Sequence, residues 1–261
     1  MKIWIDVANS PQVSFALPII NNLKKKGHDI IVTARAHANT EQLLRQKNIE
    51  FHSIGAHYGK SRFAKFFGLF IRSWKLYIQL RAENIDWAFS QSSFYSPIVA
   101  FFLGAKSIYT NDNEFASGNY VAAIFADRCY FPKSWPDNFL KAMHKTVLYD
   151  GVKESIYMTS FNASKLDKNR IYYRPEAWDA QYYTKVEIKK IERILTVLSG
   201  IAKVVVLPRD ISQGECFKNL NMTNILVQDE ALALDEIVSN AMLFVGSGGS
   251  MCRELALTHL S

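Results

Sequence analysis

Cysteine is scarce in this chain: Cys129, Cys216 and Cys252 are the three in 261 residues, far apart, odd in number and without a CxxC pair. Neither a disulfide framework nor a zinc site is supported, and a reducing, cytoplasmic setting fits best. Long hydrophobic runs are also missing, so no segment reaches the length of a membrane span. The first residues read as a strand, Lys2 to Val7, with no signal-peptide pattern. There are no short internal repeats, no low-complexity segment and no disordered tail. Acidic residues are the minority charge, 24 against 31 Lys and Arg, and the resulting +7 and pI of about 9.2 point to an anionic partner. A nucleotide, a phospholipid surface and nucleic acid all qualify. The cations are scattered rather than set in an aromatic-interleaved stripe, which argues against nucleic acid.

What is present is a folded α/β pattern. At 49% hydrophobic content the chain has the composition of a globular protein and the length of two domains. The opening reads βαβαβ: strand 2–7, helix to Lys26 ending at Gly27, strand 29–34, helix 40–47, strand 50–54. Pro18 predicts a kink in the first helix or a start near Pro18. Strand 87–90, helix 95–103 and strand 107–110 follow, and a parallel sheet is the natural inference. Beyond 126–131 the pattern loosens, and polar or proline-bearing stretches place a domain boundary near 160–170. A second series then runs through strand 170–173, helix 186–198, strand 203–207, helix 213–220, strand 224–227 and helix 232–240. The expected architecture is two Rossmann-like halves with a cleft between them, residues 1–165 and 166–261.

The chain is organised around its last strand and turn, Met242 to Val245 followed by Gly246-Ser-Gly-Gly-Ser250 and a helix from about Ser250. Gly246, Gly248 and Gly249 can take positive φ and lack Cβ, so a ligand can lie on the main chain. Free N–H groups at the helix start favour a phosphate. Glu254, about one turn later, is placed to hold two sugar hydroxyls. A tight turn packed closely by glycine is the plainer alternative. By contrast, Gly55-Ala-His-Tyr-Gly-Lys-Ser61 has three residues between its glycines where a Walker A loop needs four, which excludes an ATPase loop.

Two further stretches carry signals. Residues 63–80 set Phe63, Phe66, Phe67, Phe70, Trp74, Tyr77 and Ile78 on one helical face with Lys65, Arg72, Lys75 and Arg81 interspersed. A packed core helix is the favoured reading, and an anionic membrane surface the alternative. Asn111-Asp-Asn-Glu114 follows a strand, where open α/β sheets bind ligands, so Asp112 and Glu114 are candidates for proton transfer.

The opening Met1-Lys-Ile-Trp-Ile-Asp-Val-Ala-Asn-Ser-Pro11 with Gly27-His28, then Thr110-Asn-Asp-Asn-Glu114, Asp150-Gly-Val-Lys-Glu154, Arg174-Pro-Glu176 and Gly246-Ser-Gly-Gly-Ser250 together resemble the DUF354 family over nearly the whole chain. That family is similar to nucleotide-sugar enzymes of the GT-B fold, including MurG-type glycosyltransferases and the non-hydrolysing UDP-N-acetylglucosamine 2-epimerases. The resemblance implies two Rossmann-like domains with a nucleoside diphosphate sugar, here a UDP-sugar, held by the C-terminal one. Gly246, Gly248, Gly249 and Ser250 match the diphosphate turn, Glu254 the ribose-binding carboxylate. Arg209 is the candidate cation for the donor phosphates. Glu114 falls in the region of the epimerases' catalytic glutamate, yet their preceding Gly-Asp-Thr is Gln91-Ser92-Ser93 here, which disfavours proton abstraction from carbon. Transfer to a glycan or lipid-linked acceptor is therefore expected, in cell-envelope or surface-glycan synthesis. Asn9, Ser10, Gln12 and Ser92 would lie on the acceptor side, with Asp112 or Glu114 as base. Gln12 replaces a histidine common in the family and cannot act as a base. No metal is required, and no cofactor beyond the donor. A peripheral contact with the inner face of the membrane is a further expectation. The resemblance also implies a second domain short of about a third of its usual length. An epimerase-like enzyme and a truncated, non-catalytic remnant are the alternatives.

Overall fold

The computed structural model describes all residues except 37–39, 57–61, 117, 137–144, 159–167, 177, 179–186, 231, 248 and 259–261; for 56 and 62–67 it describes the backbone alone. Two compact units result, Met1–Tyr157 and Met158–Ser261. The boundary expected near 160–170 falls largely outside the described residues, as does most of Gly55–Ser61.

The first unit is a seven-stranded parallel sheet in the order β3-β2-β1-β4-β5-β6-β7. Its elements are β1 (Lys2–Val7), α1 (Pro11–Lys25), β2 (Asp29–Ala36), α2 (Thr40–Gln46), β3 (His52–Ala56), α3 (Arg62–Leu80), β4 (Trp87–Gln91), α4 (Tyr95–Leu103), β5 (Lys106–Thr110), α5 (Gly118–Phe125), β6 (Arg128–Pro132), β7 (Thr146–Tyr149) and a turn of helix, α6 (Ser155–Met158). Strand residues alternate between the two faces. Ile3, Ile5 and Val7 pack under α1 and α2, while Trp4 packs with Leu76 and Leu80 of α3 and Val99 and Ala100 of α4. The chain reverses direction across the sheet between β1 and β4, the place where such folds bind ligands.

α1 begins at Pro11 and runs through Pro18 to Lys25, so the expected start near Pro18 is corrected. Pro11 fits the first helical turn, where no N–H partner is needed. Val13, Phe15 and Ala16 are buried before Pro18 and Ile20 after it, and this burial outweighs the hydrogen bond that Pro18 cannot make. α5, of eight residues, and β6 and β7, of five and four, add to the elements expected from periodicity.

The buried centre of the unit is ionic. Asp6 accepts from both terminal nitrogens of Arg72 at 2.8 Å, from Thr33 Oγ1 at 2.6 Å and from Ser93 Oγ. Arg72 also donates Nε to the Ile54 carbonyl at 2.9 Å and stacks over Tyr95 at 4.5 Å. Both members of the pair are fully buried. Burial alone would raise the Asp6 carboxyl, but the Arg72 charge and the bonds from Arg72, Ser93 and Thr33 outweigh it and hold the group below its ordinary value. Arg72 therefore belongs to the core, and not to the basic surface that the membrane alternative for this helix required.

The aromatic face of α3 is corrected in the opposite sense. Among the described side chains of α3, Leu76 and Leu80 are buried along with Arg72, whereas Phe70, Trp74 and Ile78 are exposed. The favoured core packing fails for those three because the Arg72 side of the helix faces the sheet. The side chains of Phe63, Lys65, Phe66 and Phe67 lie outside the described residues.

The second unit is a four-stranded parallel sheet in the order β10-β9-β8-β11. It comprises β8 (Arg170–Arg174), α7 (Ile188–Ser199), β9 (Lys203–Val206), α8 (Ile211–Asn219), β10 (Ile225–Val227), α9 (Leu234–Asn240), β11 (Ala241–Gly246) and α10 (Ser250–Leu257). Hydrophobic clusters cover both faces, Ile191, Leu195 and Phe217 on one and Ile237, Val238 and Leu255 on the other. β8, β9 and β10 step one way and β11 returns to the other side of β8, so the reversal in strand order lies between β8 and β11.

Candidate functional site

At that reversal β8 ends in Arg174 and β11 in Gly246, and the two are register partners. Neighbouring strands are about 4.8 Å apart, so the Arg174 backbone lies beside the start of the glycine turn, while its side chain reaches towards the residues that follow β9. Arg174 donates Nη1 to the carbonyls of Leu207 and Pro208 at 2.9 and 2.7 Å. Arg209, just past β9, donates Nε to the Pro175 carbonyl at 2.9 Å, and its own N–H is held by Gln213 Oε1 at 2.8 Å. Gln213 in turn donates to the Glu176 carbonyl, and Asp210 caps α8 by accepting from Gln213 N at 2.9 Å. These bonds tie the exposed Arg209, two residues before α8, to the segment that follows β8.

Neither guanidinium has a carboxylate partner among the described residues. Burial and then the positive charge of Arg209 lower the Arg174 pKa below the usual arginine value. An arginine remains charged at neutral pH even so. Both guanidiniums are anchored by carbonyls, and the planar fork of an arginine suits phosphate oxygens.

The glycines of the turn divide by role. A Cβ on Gly246 would lie 2.7 Å from Phe244 Cε1 and 2.8 Å from Cys252 Sγ, so close packing requires glycine there. Gly249 has φ of +91° and open space where its Cβ would be, which leaves room for a ligand against the backbone at the start of α10. Ser250 is the first residue of that helix and Glu254 lies one turn on, partly buried. Gly248 lies outside the described residues. Gly246→Val is expected to cost about 1–3 kcal/mol of stability through overpacking, measurable by urea denaturation.

In the first unit, Asn9, Ser10, Gln12, Ser92 and Asp112 gather at the β1/β4 reversal. Gln12 is buried, and its Oε1 accepts from the backbone N–H groups of Ala8 and Asn9. Arg35 donates to the Ala8 carbonyl and to Asn9 Oδ1 at 3.2 and 2.6 Å, and the Ser10 hydroxyl lies 3.3 Å from Thr40 Oγ1. Gln12 thus takes up the backbone donors of Ala8 and Asn9. Gln12 is a structural clamp.

Ser92 has φ of +56°, a left-handed conformation that costs a non-glycine residue about 1 kcal/mol. Its hydroxyl donates to Asn111 Oδ1 at 2.6 Å. Asn111 also donates to Tyr109 and Asn119, and so fixes the loop that follows β5. Asp112 accepts from Gln91 Nε2 at 2.9 Å and from Lys153 Nζ at 2.8 Å. Glu114, two residues on, is half-buried and has no hydrogen bond or ion pair among the described residues. Beside Lys153 opens an apolar cavity of about 410 Å³ lined by Phe15, Ile19, Phe89, Ile108 and Tyr130.

Arg174, Lys153 and Asn111 were missing from the sequence-derived site, although each lies within a stretch that carried the family resemblance. Spacing could not reveal them because their partners are 33, 41 and 19 residues away. Ser93, which bonds Asp6, is silent in sequence for the same reason.

Two parallel Rossmann-like units with ligand-type strand reversals define a protein of GT-B type, and known structures bear this out. UDP-GlcNAc 2-epimerase from Methanocaldococcus jannaschii matches all of this chain and 82% of its own, with a TM-score of 0.71 and 13% identity. MurG from Acinetobacter baumannii matches 94% of this chain and 71% of its own, with a TM-score of 0.57 and 15% identity. At such identities the likeness establishes the fold. The chain belongs to the DUF354 family, described as proteins of unknown function, whose model matches residues 1–260. An uncharacterized protein of M. jannaschii is similar to it, 26% identical across 98% of this chain and 79% of that protein.

Proposed function

We propose that the chain is a glycosyltransferase that takes its sugar from a nucleoside diphosphate donor, a UDP-sugar, bound in the second unit. The observation that carries this reading is the pair Arg174 and Arg209, two cations without carboxylate partners among the described residues, at the strand ends where β8 adjoins the glycine turn after β11. The diphosphate lies against these guanidiniums and the Gly246–Ser250 turn, and Glu254 accepts from the ribose hydroxyls. The structurally similar M. jannaschii epimerase has been solved in complex with UDP-GlcNAc and UDP, which supports a uridine nucleotide.

In the first unit the acceptor hydroxyl is deprotonated by Glu114. Asp112 is the weaker base because Lys153 and Gln91 already engage its oxygen. The acceptor oxygen bonds to the anomeric carbon as the bond to the diphosphate breaks, and the arginines take up the leaving charge. The apolar cavity beside Lys153 suits the hydrophobic part of a lipid-linked acceptor. No cofactor beyond the donor enters this reading. Transfer is favoured over epimerisation because Ser92 and Ser93 stand where a carboxylate would be wanted, and both hydroxyls are engaged, by Asn111 and Asp6.

The test is a thermal-shift titration with UDP, GDP, TDP, CDP and ADP. A selective ligand at a hundredfold excess over its Kd adds about 2.7 kcal/mol of stability. UDP should give the largest shift, and Glu254→Ala should reduce it; no shift with any nucleotide on a cooperatively melting chain would refute the donor site. Glu114→Gln is expected to lower transfer by about 10²–10⁴-fold with the UDP shift unchanged. Retained turnover would remove Glu114 from the mechanism.

A further inference from the structure

α3, α4 and α5 pack side by side on one face of the seven-stranded sheet, with α4 in contact with both others. Their inner sides bury Leu76, Leu80, Val99, Ala100 and Ala122. Their outer sides are apolar as well: Phe70 is 58% exposed, Trp74 64%, Phe101 60%, Phe102 64% and Ile124 74%. Scattered exposed rings are ordinary on protein surfaces, but large apolar residues on three adjacent helices mark a surface meant to be covered.

Charge indicates what covers it. Between Glu50 and Glu83 the sequence has six Lys or Arg residues and no Asp or Glu; between Asp86 and Asp112, and again from Phe115 to Ala126, acids are also absent. Residues 1–157 hold 19 of the 31 cations and 12 of the 24 acids, so the whole net charge of +7 belongs to the first unit. Arg72 is committed to Asp6, but Lys75 and Arg81 are exposed on and just beyond α3.

We propose that the α3–α4–α5 face docks on an anionic lipid bilayer, with its aromatic and aliphatic side chains in the headgroup boundary and Lys75 and Arg81 against lipid phosphates. A second copy of the chain would bring two acid-free cationic faces together, whereas an anionic lipid surface complements both the rings and the charge. None of the described helices is long and apolar enough to cross a membrane, so the contact is peripheral. This surface is independent of the donor site, and its test needs no nucleotide.

The experiment is co-sedimentation of the full chain with phosphatidylcholine vesicles, with and without phosphatidylglycerol, at low and high salt. Binding should be at least about tenfold stronger to the anionic vesicles and should weaken as salt rises. Trp74→Ser with Phe101→Ser should abolish it, and Lys75→Glu with Arg81→Glu should remove the preference for anionic lipid. These positions are exposed, so melting temperatures should be unchanged. If a variant failed to fold, the lipid and salt dependence of the wild type would still decide. No binding to anionic vesicles at low salt overturns the proposal, as does binding unaffected by either pair of substitutions. A wild-type dimer that becomes a monomer in Trp74→Ser/Phe101→Ser, measured by light scattering, would assign the face to a second copy instead.

Discussion

Arg72→Leu should destabilise the first unit by about 3–5 kcal/mol, the penalty for leaving a buried charge without its partner. Asp6 would then keep only Thr33 and Ser93 as donors inside a fully buried site. Asp6→Leu should cost a similar amount, because it strands the guanidinium. The double variant Asp6→Leu/Arg72→Leu should recover much of the loss, since a buried ion pair and apolar residues of similar volume are often nearly equivalent. Equilibrium denaturation of the three variants closes the cycle, and additive losses would show that the two groups do not act as a pair.

The pH dependence gives an independent check. A carboxyl held below its ordinary value in the folded state contributes stability that is complete above the unfolded value, 3.8 for Asp6, and is lost as pH falls through the lower folded value. The wild-type contribution therefore persists at pH 5 and disappears only in strong acid. In Arg72→Leu the sign reverses: burial without the counter-charge raises Asp6, so protonation favours the folded state and the stability gap to wild type narrows as pH is lowered from neutral. A gap that stayed constant down to pH 4 would contradict this account.

The second large effect is expected at the donor site. Arg174→Ala should weaken UDP binding about 10- to 100-fold, corresponding to the loss of about 1.5–3 kcal/mol of charge-assisted hydrogen bonding. Arg174 also ties the Leu207 and Pro208 carbonyls, so part of the effect could be structural. Arg174→Lys separates the two contributions by keeping the charge while losing the planar fork. If the phosphate contact matters, Lys should recover part of the affinity, and the residual binding should weaken as salt rises. Arg209→Ala should lower affinity in the same way, and the double variant should fall further. Calorimetric titration that found UDP affinity unchanged in both single variants would place the diphosphate elsewhere.

The local elements that carry these residues were legible in the sequence. Gly246, Gly249, Ser250 and Glu254 follow one strand, β11, and Arg209 follows another, β9, because a strand, a glycine turn and a helix start are local patterns that spacing reports directly. Their plainer alternative holds for Gly246, whose missing side chain is needed by Phe244 and Cys252. Arg174 was visible as part of a motif but not as a cation beside Gly246, since its position depends on which strands are neighbours. Asp112 and Glu114 follow one strand and share a loop, yet only the folded chain distinguishes the carboxylate paired with Lys153 from the one without a partner among the described residues.

The amino-acid sequence by itself determined the βα alternation, two α/β units, the glycine turn and the excess of cations, because each is a matter of period, residue type or composition over a few neighbouring positions. Tertiary structure decided the rest. It made Arg72 the buried partner of Asp6, left Trp74 and Phe101 facing outward, joined Lys153 to Asp112 and set Arg174 next to Gly246. Helical period shows that residues share a face but not whether the sheet lies under that face, and pairings across 33 to 72 residues follow from strand order, which local sequence does not encode.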